Sequence, residues 1–334
     1  MMPSKQTITA RDLPEVRAEL ATWLADTGPT GGAAGWSQGF DPQQAARERR
    51  AAADWAVALR AAELFFVASD MTRMAVSAGL ALPSYRLHPE DLPSPHGLLL
   101  WEEPATETFD GKEVTGCPII GMSWAQHGGG VQVRSWSLRE DWLAFMAKGE
   151  PRAGIKDMTP DEVRATRIAY PQPIVCMAAS FLPFGETPGW LSGTPSDTSG
   201  WSLAELEDTA RSDDREEKAE RALVVSWLLM GQTLTTAEEV RPSKASMKHL
   251  RRLDADLLRA VRYVKLRRSG MVTRAATGVP RQGPRVRWVV RGHWRQQWYP
   301  SRQANRPVWI SPHMKGPDGA PILDPDKLVN VLRR

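Results

Sequence analysis

Cysteine is scarce in this chain of 334 residues, and its scarcity excludes two classes of protein. The two cysteines, Cys117 and Cys176, lie far apart and outside any CxxC spacing. A disulfide-dense secreted scaffold needs more cysteines than this. A zinc site built from the thiolates of this chain alone is excluded for the same reason.

Long apolar runs are also missing. No run approaches the ~18 residues that a membrane-spanning helix needs, and the first residues lack the apolar core of a secretory signal. The composition, 42% hydrophobic and 25% charged, is that of an ordinary globular protein. We therefore expect a soluble cytoplasmic protein with no membrane partner.

Two familiar glycine-rich motifs do not occur. The chain has no GxGxxG and no GxxxxGK[ST], so it offers no fingerprint of a dinucleotide site or a P-loop. No catalytic motif is identified. The sequence predicts neither a cofactor nor a metal site.

Charge, by contrast, is abundant and unevenly distributed. From Arg241 onward there are 22 Lys and Arg against 5 Asp and Glu, a formal +17, whereas the first 240 residues hold 21 against 34, a formal −13. Such asymmetry indicates a polyanionic partner for the basic third. The alternative is that the basic third docks on the acidic body.

The spacing of apolar residues predicts an α+β protein in three segments. Residues 1–150 are expected to form a helix-rich acidic body with a small antiparallel sheet. Residues 151–240 are expected to be a helical connecting region with a loop at 185–200. Residues 241–334 are expected to be a basic, Arg/Trp-rich β-domain, with a basic helix followed by a β-hairpin.

Within the first two segments, local signals place individual elements. Residues 11–27 read as one helix, and residues 42–80 as one long helix or two. Capping-box patterns start short helices at Ser137 with Glu140 and at Thr159 with Glu162. The apolar run IVCMAASFLPF is compatible with either a strand or a buried helix.

The stretch RVRWVVRGHWR, at 285–295, alternates in the way a strand does. Its even-numbered residues, which include Trp288 and Trp294, are apolar and are expected to pack on a core. Its odd-numbered residues are mostly basic. Same-face residues of a strand are about 6.6 Å apart, a spacing that lets successive arginines meet successive phosphates. The expected phosphate contacts are Arg285, Arg287, Arg291, His293 and Arg295.

The loop QQWYPSRQANRP carries Trp298, Tyr299 and Arg302. Exposed aromatics in a basic loop are suited to stacking on unpaired bases, while Arg302 would contact a phosphate. The segment PVWIS would be the return strand. The basic helix that starts near residue 244 would extend this surface through Lys244, Lys248, Arg251 and Arg252.

Two other interpretations of these residues stay open. Arginines that alternate with tryptophans also form cation–π contacts inside a small β-domain, or remain solvated. His293 and His313 each lie two residues before a cation and could act as acid and base on a phosphodiester. The surrounding residues match no phosphoesterase motif, so a nucleic-acid- or nucleotide-directed enzyme of toxin or nuclease type, using His293, is an alternative only.

The C-terminal residues VRGHWRQQWYPSRQANRPVWISPHMKGPDGAP resemble a recurring signature, VRGHWRxQWYPS…RPVWIxPHxKGP, of a group of actinobacterial, plasmid and phage proteins. DLPSPHGLLLWEEP followed by IIGMSW is similar to the N-terminal half of the same group. The resemblance implies a mobile-element context and no mechanism.

Together these patterns predict a protein that binds nucleic acid, DNA or RNA, mainly at the phosphate backbone through its basic C-terminal segment. The enzyme above is one alternative. A protein-interaction or regulatory module, with a protein partner, is the other.

Overall fold

The computed structural model describes residues 7–26, 42–106, 117–148, 157–187, 203–253, 259–267, 285–290, 292–300, 303–317 and 319–322. Within them lie seven α-helices: α1 Leu13–Asp26, α2 Pro42–Ala61, α3 Ser69–Leu80, α4 Arg139–Lys148, α5 Pro160–Ala169, α6 Leu203–Met230 and α7 Lys244–Leu253. A short 3-10 turn spans Pro89–Asp91.

The described strands form one large sheet and two small pairs. Seven strands form the large sheet: β1 Glu63–Val67, β2 His96–Trp101, β3 Gly121–His127, β4 Gly130–Leu138, β5 Ile174–Pro183, β6 Thr235–Val240 and β7 Val261–Leu266. The small pairs are made by β8 Trp288–Val290, β9 His293–Tyr299, β10 Ala304–Ile310 and β11 His313–Lys315.

The large sheet has the strand order β5-β4-β3-β2-β1-β7-β6. Its centre is parallel, because β1 pairs in parallel with both β2 and β7. The pairs toward both edges are antiparallel. The α+β class is confirmed, but the small antiparallel sheet predicted for the N-terminal body is wrong, since the main sheet is mixed and includes strands from both sides of residue 241.

Strand β1 explains that error. The prediction of one or two helices over residues 42–80 runs through its residues, ELFFV. Leu64 and Phe66 enter one apolar cluster, and Phe65 and Val67 enter the cluster on the other face of the sheet. A strand buried on both faces is apolar at consecutive positions and shows no alternation. Without alternation, periodicity does not separate such a strand from a buried helix.

Each face of the sheet is covered by helices. The apolar sides of α1 and α2 pack in the cluster that contains Leu64 and Phe66. Helix α3 and the second half of α6 pack in the cluster that contains Phe65 and Val67. In that second cluster Trp124 and Trp227 meet edge to face, with ring centroids 5.2 Å apart. The fold is thus a sheet between two helical layers.

One of the two predicted capping boxes forms. At the start of α5, the Thr159 hydroxyl oxygen accepts from the Glu162 N–H at 3.3 Å, and the Glu162 carboxylate accepts from the Thr159 N–H at 2.7 Å. The Thr159 N–H and the Thr159 hydroxyl, which donates to the same carboxylate at 2.8 Å, lower the pKa of Glu162. The box predicted at Ser137 is wrong. Ser137 belongs to β4, and its hydroxyl donates to the carbonyl of Pro118 at 2.6 Å.

Candidate nucleic-acid interface

Strands β8 to β11 form one long antiparallel hairpin with a break in it, which we call the ribbon. Val290 pairs with His313 and His293 pairs with Ile310, so the register does not shift across the break. Pro312 lies at the break and has no N–H to give to a ladder. Gly292, also at the break, leaves room for the Trp309 ring, since a Cβ there would come 2.4 Å from it.

Two tryptophans anchor the ribbon to the body. Trp309 is buried in the cluster that contains Phe65, and Trp294 packs against it with ring centroids 5.3 Å apart. The Trp294 Nε1 donates to the carbonyl of Ala78 in α3 at 2.9 Å. The backbone N–H of Trp309 donates to the Gln232 Oε1 at 3.2 Å. The prediction that Trp294 packs on a core is confirmed, while Trp288 is half-buried and lies outside both large clusters.

A buried ion pair adds a third anchor. Arg306 of β10 pairs with Asp91 at the 3-10 turn, and their side chains are only 17% and 1% exposed. The other carboxylate oxygen of Asp91 accepts from the Tyr85 hydroxyl at 2.7 Å and from the His88 N–H at 2.8 Å. Sequence analysis missed this pair. Its partners lie 215 residues apart, and no local pattern marks either one.

The outer strand of the ribbon, β9, presents a different surface. Strand β10 lies against the body, with Pro307 and Trp309 buried, whereas most side chains of β9 are exposed. Arg295 is exposed and donates to the Gln297 Oε1 at 2.8 Å. Trp298 and Tyr299, which we call the aromatic pair, are 52% and 36% exposed at the end of β9. Because they are adjacent in a strand, they point to opposite faces.

The predicted phosphate contacts differ in their surroundings. Arg285, His293 and Arg295 are exposed. Arg287 is half-buried, and its Nε donates to the carbonyl of Ala320 at 3.0 Å. Arg291 and Arg302 lie outside the described residues. The ribbon therefore offers fewer solvent-facing cations than its sequence suggests, since Arg287 and Arg306 hold the chain together.

The basic helix, α7, lies on the other side of the sheet. Leu250 packs against Ala18 of α1, and the Ser246 hydroxyl donates to the Glu15 carboxylate at 2.9 Å. Helix α1 belongs to the layer opposite the ribbon. The four predicted cations of α7 are exposed: Lys244, Lys248, Arg251 and Arg252. They do not form one continuous surface with the ribbon.

This separation predicts that the two basic regions act independently on a short ligand. We expect Lys244→Gln with Lys248→Gln to change the affinity for an oligonucleotide of about eight nucleotides by less than about threefold, because salt at 0.15 M screens charges beyond about 8 Å. Arg295→Ala should weaken the same binding more. Anisotropy titration of a labelled oligonucleotide measures both. An equal loss in the two variants would contradict two separate surfaces.

The two histidines of the enzyme alternative do not face each other. His313 of β11 pairs with Val290 of β8, and His293 of β9 pairs with Ile310 of β10, so the two histidines are not cross-strand partners. Within the described part of the chain, no three His, Cys, Asp or Glu side chains are grouped to hold a metal ion. This geometry does not favour paired acid–base chemistry on the ribbon.

The buried cysteine is equally unsuited to catalysis. Burial raises the pKa of Cys117 to about 12. The thiolate is the nucleophilic form, so a thiol with this pKa is almost entirely unreactive at neutral pH.

Open sheets with parallel strands often bind ligands where those strands end. Here that edge is filled by the chain's own carboxylates. The Glu102 Oε2 accepts from the N–H and the hydroxyl of Ser69, at the start of α3, at 2.8 Å each. Arg73 pairs with Glu103 at 2.7 Å. An anionic ligand at the N-terminus of α3 would have to displace Glu102.

Comparisons of the chain with models of protein families, with curated proteins and with solved structures found no match. Among the helices that the structure describes, none has the length and apolar character to cross a membrane.

Proposed function

We propose that the ribbon binds nucleic acid, with the exposed cations on phosphates and the aromatic pair on bases. The observation that carries the proposal is the exposure of Trp298 and Tyr299 on the strand that carries Arg295. The buried Trp309, the partly buried Trp294 and the Arg306–Asp91 ion pair hold this part of the ribbon in place. Exposed aromatic rings near a cation are suited to stacking on unpaired bases.

Each part of this surface has a distinct role. A guanidinium donates two parallel hydrogen bonds to phosphate oxygens, which positions the backbone without reading sequence. An aromatic ring stacks on any base that is not already paired. The arrangement thus favours single-stranded or locally unpaired nucleic acid, bound with little sequence preference. The proposal also includes a mobile-element context and a cytoplasmic location, and both of these rest on the sequence alone.

The test is binding of the purified chain to labelled single-stranded and duplex DNA and RNA across a salt series. We expect log affinity to fall linearly with log salt, with a slope of about −0.7 per phosphate contact on single strands and about −0.9 on duplex DNA. Arg295→Ala should reduce the slope by about one contact. The matched control is Arg164→Ala, which removes an exposed arginine of α5.

Failure to bind any of the four ligands at low salt would overturn the proposal. If Arg295→Ala and the wild-type chain bind with the same salt slope, Arg295 contacts no phosphate. The ribbon would then not be the binding surface.

A second candidate function rests on the outer edge of β9. Within the described residues β9 pairs only with β10, so its other edge has no strand partner. An extended peptide could add to such an edge through main-chain hydrogen bonds. This candidate predicts that a protein partner, not nucleic acid, is retained by the chain, and that Arg295→Ala leaves that retention unchanged.

A further inference from the structure

Helix α7 carries a group of cations that no carboxylate neutralises. Its sequence, KASMKHLRRL, contains no Asp or Glu. Four of its side chains are exposed cations, which we call the basic stripe: Lys244, Lys248, Arg251 and Arg252. Within the described part of the chain, none of the four has an ion-pair partner, whereas the exposed Arg73, Arg164 and Lys265 elsewhere each pair with a carboxylate.

The geometry of the helix places these four cations together. Successive residues of an α-helix are rotated by about 100°, so the basic stripe covers about 100° of the circumference and is about 12 Å long. The two buried residues of α7, Ser246 and Leu250, fall on the opposite side, where α1 lies. The packing of α7 on α1 therefore turns all four cations toward solvent.

The carboxylates nearest to α7 belong to α1 and lie on its docked side. The Glu15 carboxylate accepts from the Ser246 hydroxyl at 2.9 Å. Glu19, one turn further along α1, lies near His249. An anion that approaches the basic stripe from solvent meets the cations before it meets either carboxylate.

The apolar side of α7 is already in use. Leu250 and Ala18 of α1 are both 0% exposed where they pack together, and Met247 is half-buried. Leu253, at 45% exposed, is the one large apolar side chain of α7 that extends well into solvent. A helix that lies on a lipid bilayer needs a free apolar face to insert. The basic stripe therefore suits a polyanion that is contacted through its charge.

The chemistry of the stripe favours a duplex over a single strand. No aromatic side chain belongs to α7, so the helix has no ring to stack on an unpaired base. Its affinity for nucleic acid would come from phosphates, and a duplex carries one charge per about 1.7 Å of its axis, twice the density of one of its strands. The major groove of B-form DNA, about 12 Å wide, admits an α-helix between two rows of phosphates.

We propose that the basic stripe binds duplex nucleic acid through its phosphates, as a surface separate from the ribbon. The ribbon is anchored in the cluster that contains Phe65, whereas α7 packs on α1, which belongs to the cluster on the other face of the sheet. One chain then holds a duplex on one side of the sheet and an unpaired strand on the other. The duplex surface stands on α7 alone, and only the simultaneous binding rests on the function proposed for the ribbon.

The first experiment measures duplex binding without the ribbon. It uses the full chain with Arg295→Ala, Trp298→Ala and Tyr299→Ala, and anisotropy titration of a labelled blunt DNA duplex of about 20 base pairs, two helical turns. Adding Arg251→Gln with Arg252→Gln should reduce the log–log salt slope by about 1.8, because two phosphate contacts are lost. Glutamine is a good helix former, so α7 is expected to stay folded.

The matched control is Arg49→Gln with Arg50→Gln, which removes two adjacent exposed arginines from α2 and should leave the slope unchanged. An unchanged slope in the α7 variant, or an equal loss in the α2 variant, would overturn the proposal. Vesicles of phosphatidylcholine with phosphatidylserine test the other polyanionic partner. Binding to these vesicles that depends on Arg251 and Arg252, with no binding to the duplex, would also overturn it.

The second experiment tests simultaneous binding. A single strand of about eight nucleotides is fixed to beads, and the wild-type chain should retain a labelled duplex of unrelated sequence on them. Retention should be lost when all four cations of the basic stripe are replaced by glutamine, and also in Trp298→Ala with Tyr299→Ala. Retention that persists without the stripe would contradict two surfaces on one chain. If the chain does not bind the bead-bound strand but the first experiment succeeds, the ribbon function fails and the duplex surface stands.

Discussion

Replacing Trp298 and Tyr299 together by alanine is expected to weaken the binding of single-stranded nucleic acid by at least about thirtyfold. Each stacked base contributes about 1–3 kcal/mol, and the two rings point to opposite faces of β9, so they can engage two bases independently. The loss should be measured at constant salt by anisotropy titration of a labelled oligonucleotide. Each single variant should show a part of the loss.

The matched control for this pair is Phe181→Ala. Phe181 lies on β5, at the far edge of the large sheet, and its side chain is 51% exposed, almost the same as Trp298. Removing it takes a similar exposed ring from the chain without touching the ribbon. A comparable loss of affinity in Phe181→Ala would show that the aromatic pair has no special role. So would unchanged affinity in the double variant.

Duplex DNA should respond differently to the same substitutions. Its bases are already stacked on each other, so an exposed ring gains little unless the duplex opens. We expect the double variant to reduce single-strand affinity more than duplex affinity, while Arg295→Ala reduces both. The pattern follows from the geometry of β9, where the cations and the rings occupy neighbouring positions but contact different parts of the nucleic acid.

Local patterns predicted the ribbon better than they predicted the sheet. The alternation through residues 285–295 predicted one strand with Trp294 facing inward. The structure has two strands there, β8 and β9, and β9 continues through Trp298 and Tyr299, which were wrongly expected in a loop. That signal is local, because successive side chains of a strand on the surface face core and solvent in turn. Strand β1 has no such signal, since both of its faces are buried. Because β1 was not predicted as a strand, the parallel pairing at the centre of the sheet was not predicted either.

The sequence predicted the types of residue in the candidate site, but not which of its cations are already paired within the fold. The sequence analysis counted Arg287 among the phosphate contacts, but the Arg287 Nε donates to a backbone carbonyl. Arg306, which the sequence analysis assigned to no surface, is neutralised by Asp91. The sequence analysis also expected the cations of α7 to extend the basic surface of the ribbon. In the structure, α7 and the ribbon lie on opposite sides of the sheet. Contacts between residues so distant in sequence depend on the packing of the whole fold, and no window of sequence contains them.

Asp91→Ala is expected to cause the largest loss of stability, about 3–5 kcal/mol, because it leaves a buried arginine without its counterion. The substitution also takes the acceptor from two further donors, the Tyr85 hydroxyl and the His88 N–H. At roughly 2–4 °C per kcal/mol for a chain of this size class, the melting temperature should fall by on the order of 10 °C. Thermal unfolding followed by circular dichroism measures the change.

Two companion variants separate the buried charge from a general effect of removing an aspartate. Asp161→Ala breaks an exposed pair with Arg164 and should cost less than about 1 kcal/mol. Asp91→Ala combined with Arg306→Leu removes both charges, and should be less destabilising than Asp91→Ala alone, since no unpaired charge stays buried. If the single and double variants unfold alike, the cost lies in the hydrogen bonds to Tyr85 and His88. If Asp91→Ala matches Asp161→Ala, the ion pair does not hold the ribbon, and its tryptophans alone must do so.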